Sequence, residues 1–585
     1  MVLTKKTKST SRCAKFLVMT RINLLFLSAF FLIIYANFNL LYPWASDYYE
    51  QAESLVKCSL NNAIDIDCPH YFRKENKKPC FLSELIQGAD QVMKIGLVNM
   101  NNEDVIDWRK TYGQLIIPTA ISFEKVSNLV KWKDLFPTWI DEEGEFDGPS
   151  CPEIPMLSDN NNEIRGHDMD MIVAKLPCKF GEEGWNRDVF RLQVHLVAAN
   201  LAVKRGRRDS NGRLKVVFVS KCMPMVELFG CDELVTREGE YWWYYRPEIE
   251  RLEHKVSLPI GSCNLAMPLW DKGSKEAYGA SKLNRGIKKQ TTNREAYATM
   301  LHSKESYVCG ALTLAQSLIQ TRTNRDLILL HDTSISEPKR EALSRAGWKL
   351  RFIERISNPK ARNNTYNQHN YSKFRVWQLT DYDKIVFIDV DILVLRNLDI
   401  LFQLPQMSAA GNSHSNFNSG IMVIEPSNCT FRMFMNRIEE IVSYNGGDQG
   451  FLNEIFPWWH RLPRRVNFLR NFWSNEVRDR NDQLFGSDPP KLYTIHYLGS
   501  KPWLCYRDYD CNFDIPGQRV FASDVAHKRW WKFYDQMDEG LQKVCGLSEW
   551  RKIELEWNRN KAKENGYEDQ HWRINVTDPR KLTIV

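Results

Sequence analysis

Residues 384–395 read KIVFIDVDILVL. This is the most apolar run in the second half of the chain, and it is broken only by Asp389 and Asp391. A short continuous apolar segment of this kind reads as a strand covered on both faces, as strands of a parallel sheet are. Alternate residues of a strand share a face, so both carboxylates point the same way and together can grip one hard cation and a diphosphate bound to it. The triplet alone carries little weight. The chain repeats it at Asp65/Asp67, Asp168/Asp170, Asp381/Asp383 and Asp508/Asp510, and only Asp389/Asp391 follow a buried strand.

Working outward, strands and helices alternate. AYATML (296–301) is strand-like, and Val308, Ala311, Leu312, Ala315, Leu318 and Ile319 share one helical face after it. DLILL (326–330) predicts a strand, EPKREALSRA (337–346) a helix and WKLRFI (348–353) another strand, with a further helix around Phe374–Leu379. Such alternation predicts an α/β fold with right-handed crossovers and a largely parallel sheet. Ligands on such sheets sit at the carboxyl ends of the strands, where Asp389 and Asp391 stand.

Three later clusters complete a candidate site. In FNSGIMVIEP (417–426) an Asn418-Ser419-Gly420 turn is expected before a short apolar strand. In GGDQGFLNEIF (446–456) glycines open a helix with Asp448 and Gln449 on its first turn; the plain alternative is that Asp448 serves as a helix cap. In HYLGSKPW (496–503), His496 would add an imidazole to the two carboxylates, a mixed set suited to Mn²⁺. Lys501 would meet a diphosphate as a point charge.

The remainder of the 585 residues bounds the setting. Hydrophobic residues at 43% and charged residues at 26% describe a folded chain, and a net charge of +7 gives nucleic-acid binding little support. Lys5, Lys6, Lys8, Arg12, Lys15 and Arg21 form a basic tail over 1–21, before an apolar run, Ile22–Leu41, long enough for a bilayer span. Tyr42, Pro43 and Trp44 follow in place of the small residues of a cleavage site, so a signal anchor is favoured over a long-cored signal peptide, with the rest of the chain lumenal. That topology places all fourteen cysteines except Cys13 in an oxidising compartment. Thirteen cannot all pair with one another, and Cys178, Cys222, Cys231 and Cys263 are expected in an N-terminal disulfide set. Sequons stand at Asn363, Asn370, Asn428 and Asn575. Residues 42–160 read as a stem and the start of a lumenal region, and 161–270 as an N-terminal α/β region. In the latter, Val189, Leu192, Leu196, Ala199 and Val203 recur at helical spacing and KVVFVS (215–220) is a buried strand. A polar linker is expected over 271–293, a catalytic domain over 294–545 and a helical tail without assigned chemistry over 546–585.

The four clusters, in this order, resemble glycosyltransferase family 8, the family of glycogenin and of bacterial lipooligosaccharide galactosyltransferases. The resemblance implies a GT-A type nucleotide-diphospho-sugar transferase with a Rossmann-like mixed sheet, acting with retention on a UDP-sugar. By similarity Asp389, Asp391 and His496 are the metal ligands. Leu301 and Tyr307 are the uracil contacts, Lys373 and Lys501 meet the donor's phosphates or sugar, Val390, Ser419 and Gly499 also line the donor, and Asn418, Asp448 and Gln449 contact its sugar as the catalytic residues. Two positions depart from the family pattern: Asn445 replaces an acidic residue of glycogenin, and HYLGSKPW is one residue shorter than HxxGxxKPW. Within the family, LPCKFGEEGWNRDVFRLQVHLVAANLA, IDVDILVLRNLD and NGGDQGFLNEIFPWWHRLP are most similar to the plant glucuronosyltransferases that decorate xylan. That likeness implies UDP-glucuronic acid as donor, O-2 of xylose in a xylan or xylo-oligosaccharide as acceptor, and a Golgi membrane location beside other xylan-synthesis proteins. His414, Arg464 and Arg465 are candidates for the glucuronate carboxylate. Trp458, Trp459 and Trp473 are candidates for an acceptor platform or, alternatively, for core aromatics. Competing readings are another family 8 transfer, to a sphingolipid or from a galactosyl or galacturonosyl donor, and a non-catalytic Golgi scaffold.

Overall fold

A computed structural model describes residues 78–580 apart from 143–149, 158–167, 267–293 and single positions 180, 183, 303, 364 and 579. The basic tail, the apolar run Ile22–Leu41, the first part of the stem and the expected linker lie outside the described residues. Among the described residues no helix is long and apolar enough to cross a membrane.

Strands β1 (Met93–Val98), β2 (Ile116–Ile121), β3 (Met171–Lys175), β4 (Val216–Val219), β5 (Leu234–Glu238) and β6 (Trp242–Tyr245) form a first sheet, in the order β2-β1-β3-β4-β6-β5. The run from β2 to β4 is parallel, and β6 is antiparallel to both its neighbours. The long helix α1 (Val189–Arg205) is capped by the Asp188 side chain, which accepts from the Arg191 amide. It is buried nearly all round, because it is covered from both sides. Leu192, Leu196 and Ala199 share one apolar core with Val98 and Phe218 of the first sheet, with Phe387 of the second, and with Trp458 and Trp459 just before the second sheet's strand β14. The two sheets are therefore joined by buried apolar surface, the dominant favourable term in folding.

Strands β7 (Glu295–Leu301), β8 (Asp326–His331), β9 (Lys349–Phe352), β10 (Lys384–Ile388) and β11 (Ile392–Val394) follow, then β12 (Ser408–Gly411), β13 (Phe417–Ile424), β14 (His460–Leu462), β15 (Phe468–Leu469) and β16 (Thr494–His496). The second sheet runs β14-β12-β13-β10-β7-β8-β9, and a small third sheet runs β11-β16-β15. Strands β10, β7, β8 and β9 are parallel, with helices α2 (Val308–Gln320) and α3 (Glu337–Arg345) as their crossovers. Strand β13 enters antiparallel to β10, which makes the sheet mixed.

Two local expectations change. The helix near Phe374–Leu379 is a 3₁₀ helix, Asn370–Gln378. The turn expected at Asn418-Ser419-Gly420 is extended strand, because all three residues belong to the fully buried β13. Gly420 is required there by crowding, since a Cβ on it would lie 2.6 Å from Cε1 of the His496 ring.

Of the expected N-terminal cysteine set, Cys178 pairs with Cys222, and Cys263 pairs with Cys151. Cys231 instead reaches Cys429, in the helix after β13, and Cys309–Cys545 and Cys505–Cys511 complete five disulfides among the described residues.

Candidate active site

Asp389 immediately follows β10, and its amide donates to the Gly420 carbonyl at 2.8 Å, which seats it beside the FNSG segment. Asp391 precedes β11, whose register sets Ile392 opposite His496. Two sheet ladders thus bring together residues more than a hundred positions apart. One ligand atom from each of Asp389, Asp391 and His496 lies within 4.8 Å of the others. Ligand distances of about 2.0–2.6 Å around a hard divalent ion put its ligand atoms at most about 5 Å apart, so the three residues fit one cation.

The imidazole is oriented for that purpose. Nδ1 of His496 meets Oδ1 of Asn467 at 3.0 Å, while Nε2 faces Asp391 at 3.4 Å. The Asn467 amide is itself fixed, because its Nδ2 donates to Oδ1 of Asn418 at 2.8 Å. With Nδ1 as donor, Nε2 keeps its lone pair for a metal. Oδ1 of Asn418 also accepts from the Gly420 amide at 2.9 Å, so this oxygen holds the site's frame and is engaged on the protein side.

Two lysines enclose the carboxylates. Lys373 reaches Asp389 at 3.1 Å and Asp448 at 2.7 Å, and Lys501 reaches Asp391 at 2.6 Å. Three carboxylates face two ammonium groups, an excess of one negative charge that a divalent cation converts to one positive, matched to a diphosphate. Burial, helped by Asp391, raises the Asp389 carboxyl to about 6 against the pull of Lys373. Burial also pushes the Asp391 carboxyl upward, but Lys501 and His496 outweigh it and hold the group well below the ordinary range. For Lys373 burial works downward and is overcome by Asp389 and Asp448, so it stays charged.

Asp448 is not a helix cap: Gly447 occupies the N-cap of helix α4 (Asp448–Ile455), and the Asp448 carboxylate accepts from Lys373 and from Ser419 Oγ at 3.0 Å. Oε1 of Gln449 accepts from the Ser419 amide at 3.1 Å. Asn453, a turn further on, locks this helix to β13 by accepting from Phe417 N and donating to Phe417 O.

The shortened HYLGSKPW spacing still delivers its lysine. Gly499 takes φ +71°, and a Cβ there would lie 2.5 Å from Asn512 Oδ1, the acceptor for the Ser500 amide. Arg470, fully buried against Asp510 at 2.8 Å, donates to the Leu498 and Ser500 carbonyls. From the C-terminal tail, Arg551 donates to Leu504 O and Ser500 Oγ, and Arg580 to the carbonyls of Trp503 and Cys505. The tail therefore braces the Lys501 loop, a role its sequence of solvated charges did not signal. Tyr307 packs edge-on to Trp503 at 5.8 Å, and Leu301 is buried at the end of β7. A Cβ on Gly310 of α2 would lie 2.7 Å from the Val390 carbonyl, so this helix needs its glycine to approach the Asp389–Asp391 loop.

Other candidates fall elsewhere. Trp458 and Trp459 are each 1% exposed and donate to the carbonyls of Ile260 and Ser415, so they are core residues. Trp473, 76% exposed, follows β15, whose Leu469 pairs with His496. Arg464 and Arg465 precede β15, at the opposite end from Leu469 and His496, and the Arg464 guanidinium lies over Phe468. His414 is an exposed turn residue at φ +55°. Of the sequons, Asn370 is buried.

Two family models match the chain: a GUX1-5 N-terminal domain over residues 71–263 and glycosyl transferase family 8 over 298–410. The chain is 54% identical over 584 residues to UDP-glucuronate:xylan alpha-glucuronosyltransferase 2 of Arabidopsis thaliana, covering 96% of each. It is 45% identical to UDP-glucuronate:xylan alpha-glucuronosyltransferase 1 of the same plant, covering 88% of this chain and 76% of that one. Among solved structures, the galactosyltransferase LgtC with donor and acceptor sugar analogs matches 41% of this chain and 94% of its own, at 15% identity and a TM-score of 0.30.

Proposed function

The chain belongs to the family of the plant xylan alpha-glucuronosyltransferases, and on that premise we propose that it transfers α-glucuronic acid from UDP-glucuronic acid to O-2 of xylose in a xylan backbone. The observation that carries this reading is the convergence of Asp389, Asp391 and His496 within 4.8 Å, walled by Lys373 and Lys501. A scaffold has no use for a metal shell whose imidazole tautomer is set by a dedicated asparagine.

Asp389, Asp391 and His496 would hold Mn²⁺, which supplies charge neutralisation for the departing UDP. Lys501, anchored through Asp391 and the Tyr497 carbonyl, stands where it adds a fixed positive charge on the same oxygens. Lys373 bridges Asp389 and Asp448, so the residue contacting the sugar and the residue holding the metal are set by a single ammonium group. Asp448 and Gln449, both tied to Ser419, orient the sugar for attack by the acceptor hydroxyl from the face the diphosphate leaves. Trp473 is suited to stack on a xylosyl ring of the acceptor. The apolar run Ile22–Leu41, together with a disulfide-rich remainder, supports a type II anchor in the Golgi membrane.

The test is a donor and acceptor screen with linkage analysis. With Mn²⁺ and xylohexaose, UDP-glucuronate is expected to give a single α-1,2-linked product, and Asp391→Ala to lower kcat/KM by at least about 1,000-fold. Transfer to a sphingolipid head group, or equal activity with UDP-galactose, would replace this reading.

A further inference from the structure

The three cations that the sequence offers for the sugar's carboxylate do not serve it: Arg464 and Arg465 lie at the opposite end of β15 from Leu469 and His496, and His414 is in an exposed turn. Another arginine stands on the correct rim. The sheet order β10-β7-β8-β9 places the ends of four parallel strands side by side: Asp389, then His302 after β7, Asp332 after β8 and Arg355 after β9. Beyond Arg355 the chain turns back toward the sugar side of the site. The Ile356 amide donates to Ser372 Oγ at 2.9 Å, next to Lys373, and Asn358 Nδ2 donates to the Gly446 carbonyl at 2.9 Å, two residues before Asp448.

Arg355 is held by one edge only. Its Nε is paired with the buried carboxylate of Asp332, which is fixed in turn by the Ser334 amide at 2.8 Å. Among the described residues nothing engages its two terminal amino groups, and the side chain is 32% exposed. A guanidinium clamped at Nε and open at both terminal nitrogens presents the fork that takes a carboxylate in bidentate fashion. His302 and His369 flank it. Burial keeps the His302 imidazole neutral, down at about 4, and Asp332, Asp448 and Arg355 are all among its charged neighbours. His369 is lowered likewise, by burial and by Arg355. Two neutral rings leave the guanidinium as the positive group on this side, where a neutral hexose would leave it unanswered.

We propose that Arg355 reads the carboxylate of the donor's uronic acid, Asp332 acting as the positioning residue that aims its fork. The inference rests on the donor assignment made above, and the experiment separates the two. Full-length protein is titrated with UDP-glucuronate, UDP-glucose and UDP in the presence of Mn²⁺. For the unaltered chain UDP-glucuronate is expected to bind more tightly than UDP-glucose. Arg355→Gln should erase that preference, weakening UDP-glucuronate about 10- to 100-fold while UDP and UDP-glucose change less than about threefold. Arg355→Lys, which keeps the charge and loses the fork, should fall between, and Asp332→Asn should move in the same direction. A preference unchanged in Arg355→Gln, or lost equally for all three ligands, overturns the Arg355 assignment and leaves the donor intact. An unaltered chain with no preference for UDP-glucuronate overturns the donor assignment and this inference together.

Discussion

His496 has Nδ1 committed to Asn467, which leaves Nε2, facing Asp391, as the nitrogen open to a metal. A ligand whose second nitrogen is anchored is better oriented and more basic than a free one, and such partners are worth about 10- to 100-fold in metal affinity. Asn467→Leu is therefore expected to weaken Mn²⁺ binding by that factor with the fold intact, as measured by paramagnetic titration; unchanged affinity would return Asn467 to the core. At this scale the sequence was informative where chemistry is tied to strand ends. Asp389 and Asp391, which close an apolar run, and His496, which follows another, converge with Lys501 and Asp448, whereas Lys373 was marked by the family resemblance alone. Asn467 and Arg355 were not legible. Each is an ordinary polar residue in a loop, and its meaning comes from a partner tens of positions away, Asn418 in one case and Asp332 in the other.

Helix α4 carries Asp448 at one end and a grip from the first sheet's side at the other. Arg187 donates from both terminal nitrogens to the Glu454 carboxylate, at 2.8 and 2.9 Å, and to the Asn453 carbonyl at 3.0 Å. Asn453 in turn holds Phe417 and the Gln449 carbonyl, so a residue outside the second sheet sets the pitch of helix α4. The partly exposed pair contributes little to stability, about 1 kcal/mol or less. Arg187→Ala is expected to lower kcat about tenfold while the Kd for UDP stays within about twofold, in paired kinetic and calorimetric measurements. Equal kcat would mean that the grip is structural alone. Elements were readable from periodicity wherever a strand or helix has one buried identity, as in β10 and α1. The FNSG segment misled because glycine beside asparagine is the commonest mark of a turn. Here the glycine answers the His496 ring, which arrives from a strand more than seventy residues later.

Across the molecule, the first and second sheets meet over apolar surface that contains a few buried charges. Glu227, from the first sheet's side, accepts from the Trp458 amide at 2.9 Å, and burial raises its carboxyl to about 7 despite that bond and nearby Lys255 and Arg191. A folded-state value above the ordinary carboxylate range means that the folded chain holds a proton the unfolded chain has released. The contribution is full below about pH 4 and is lost as pH rises through 7. Between pH 5 and pH 8 the Glu227 contribution declines, so the melting temperature of Glu227→Gln should rise relative to that of the unaltered chain across this range; a constant difference would mean that Glu227 titrates normally. The joining of the sheets was only partly legible, since helical spacing marks a buried face without naming what covers it.

The Cys231–Cys429 bond spans 198 residues of chain. At about 5–20 residues per second, the earlier thiol waits roughly ten to forty seconds after its own synthesis before its mate exists. Cys309 waits longer still, for a partner 236 residues on. Maturation is thus paced by the ribosome, and a message cut short before codon 429 would release a fragment with a thiol at 231 available to foreign partners.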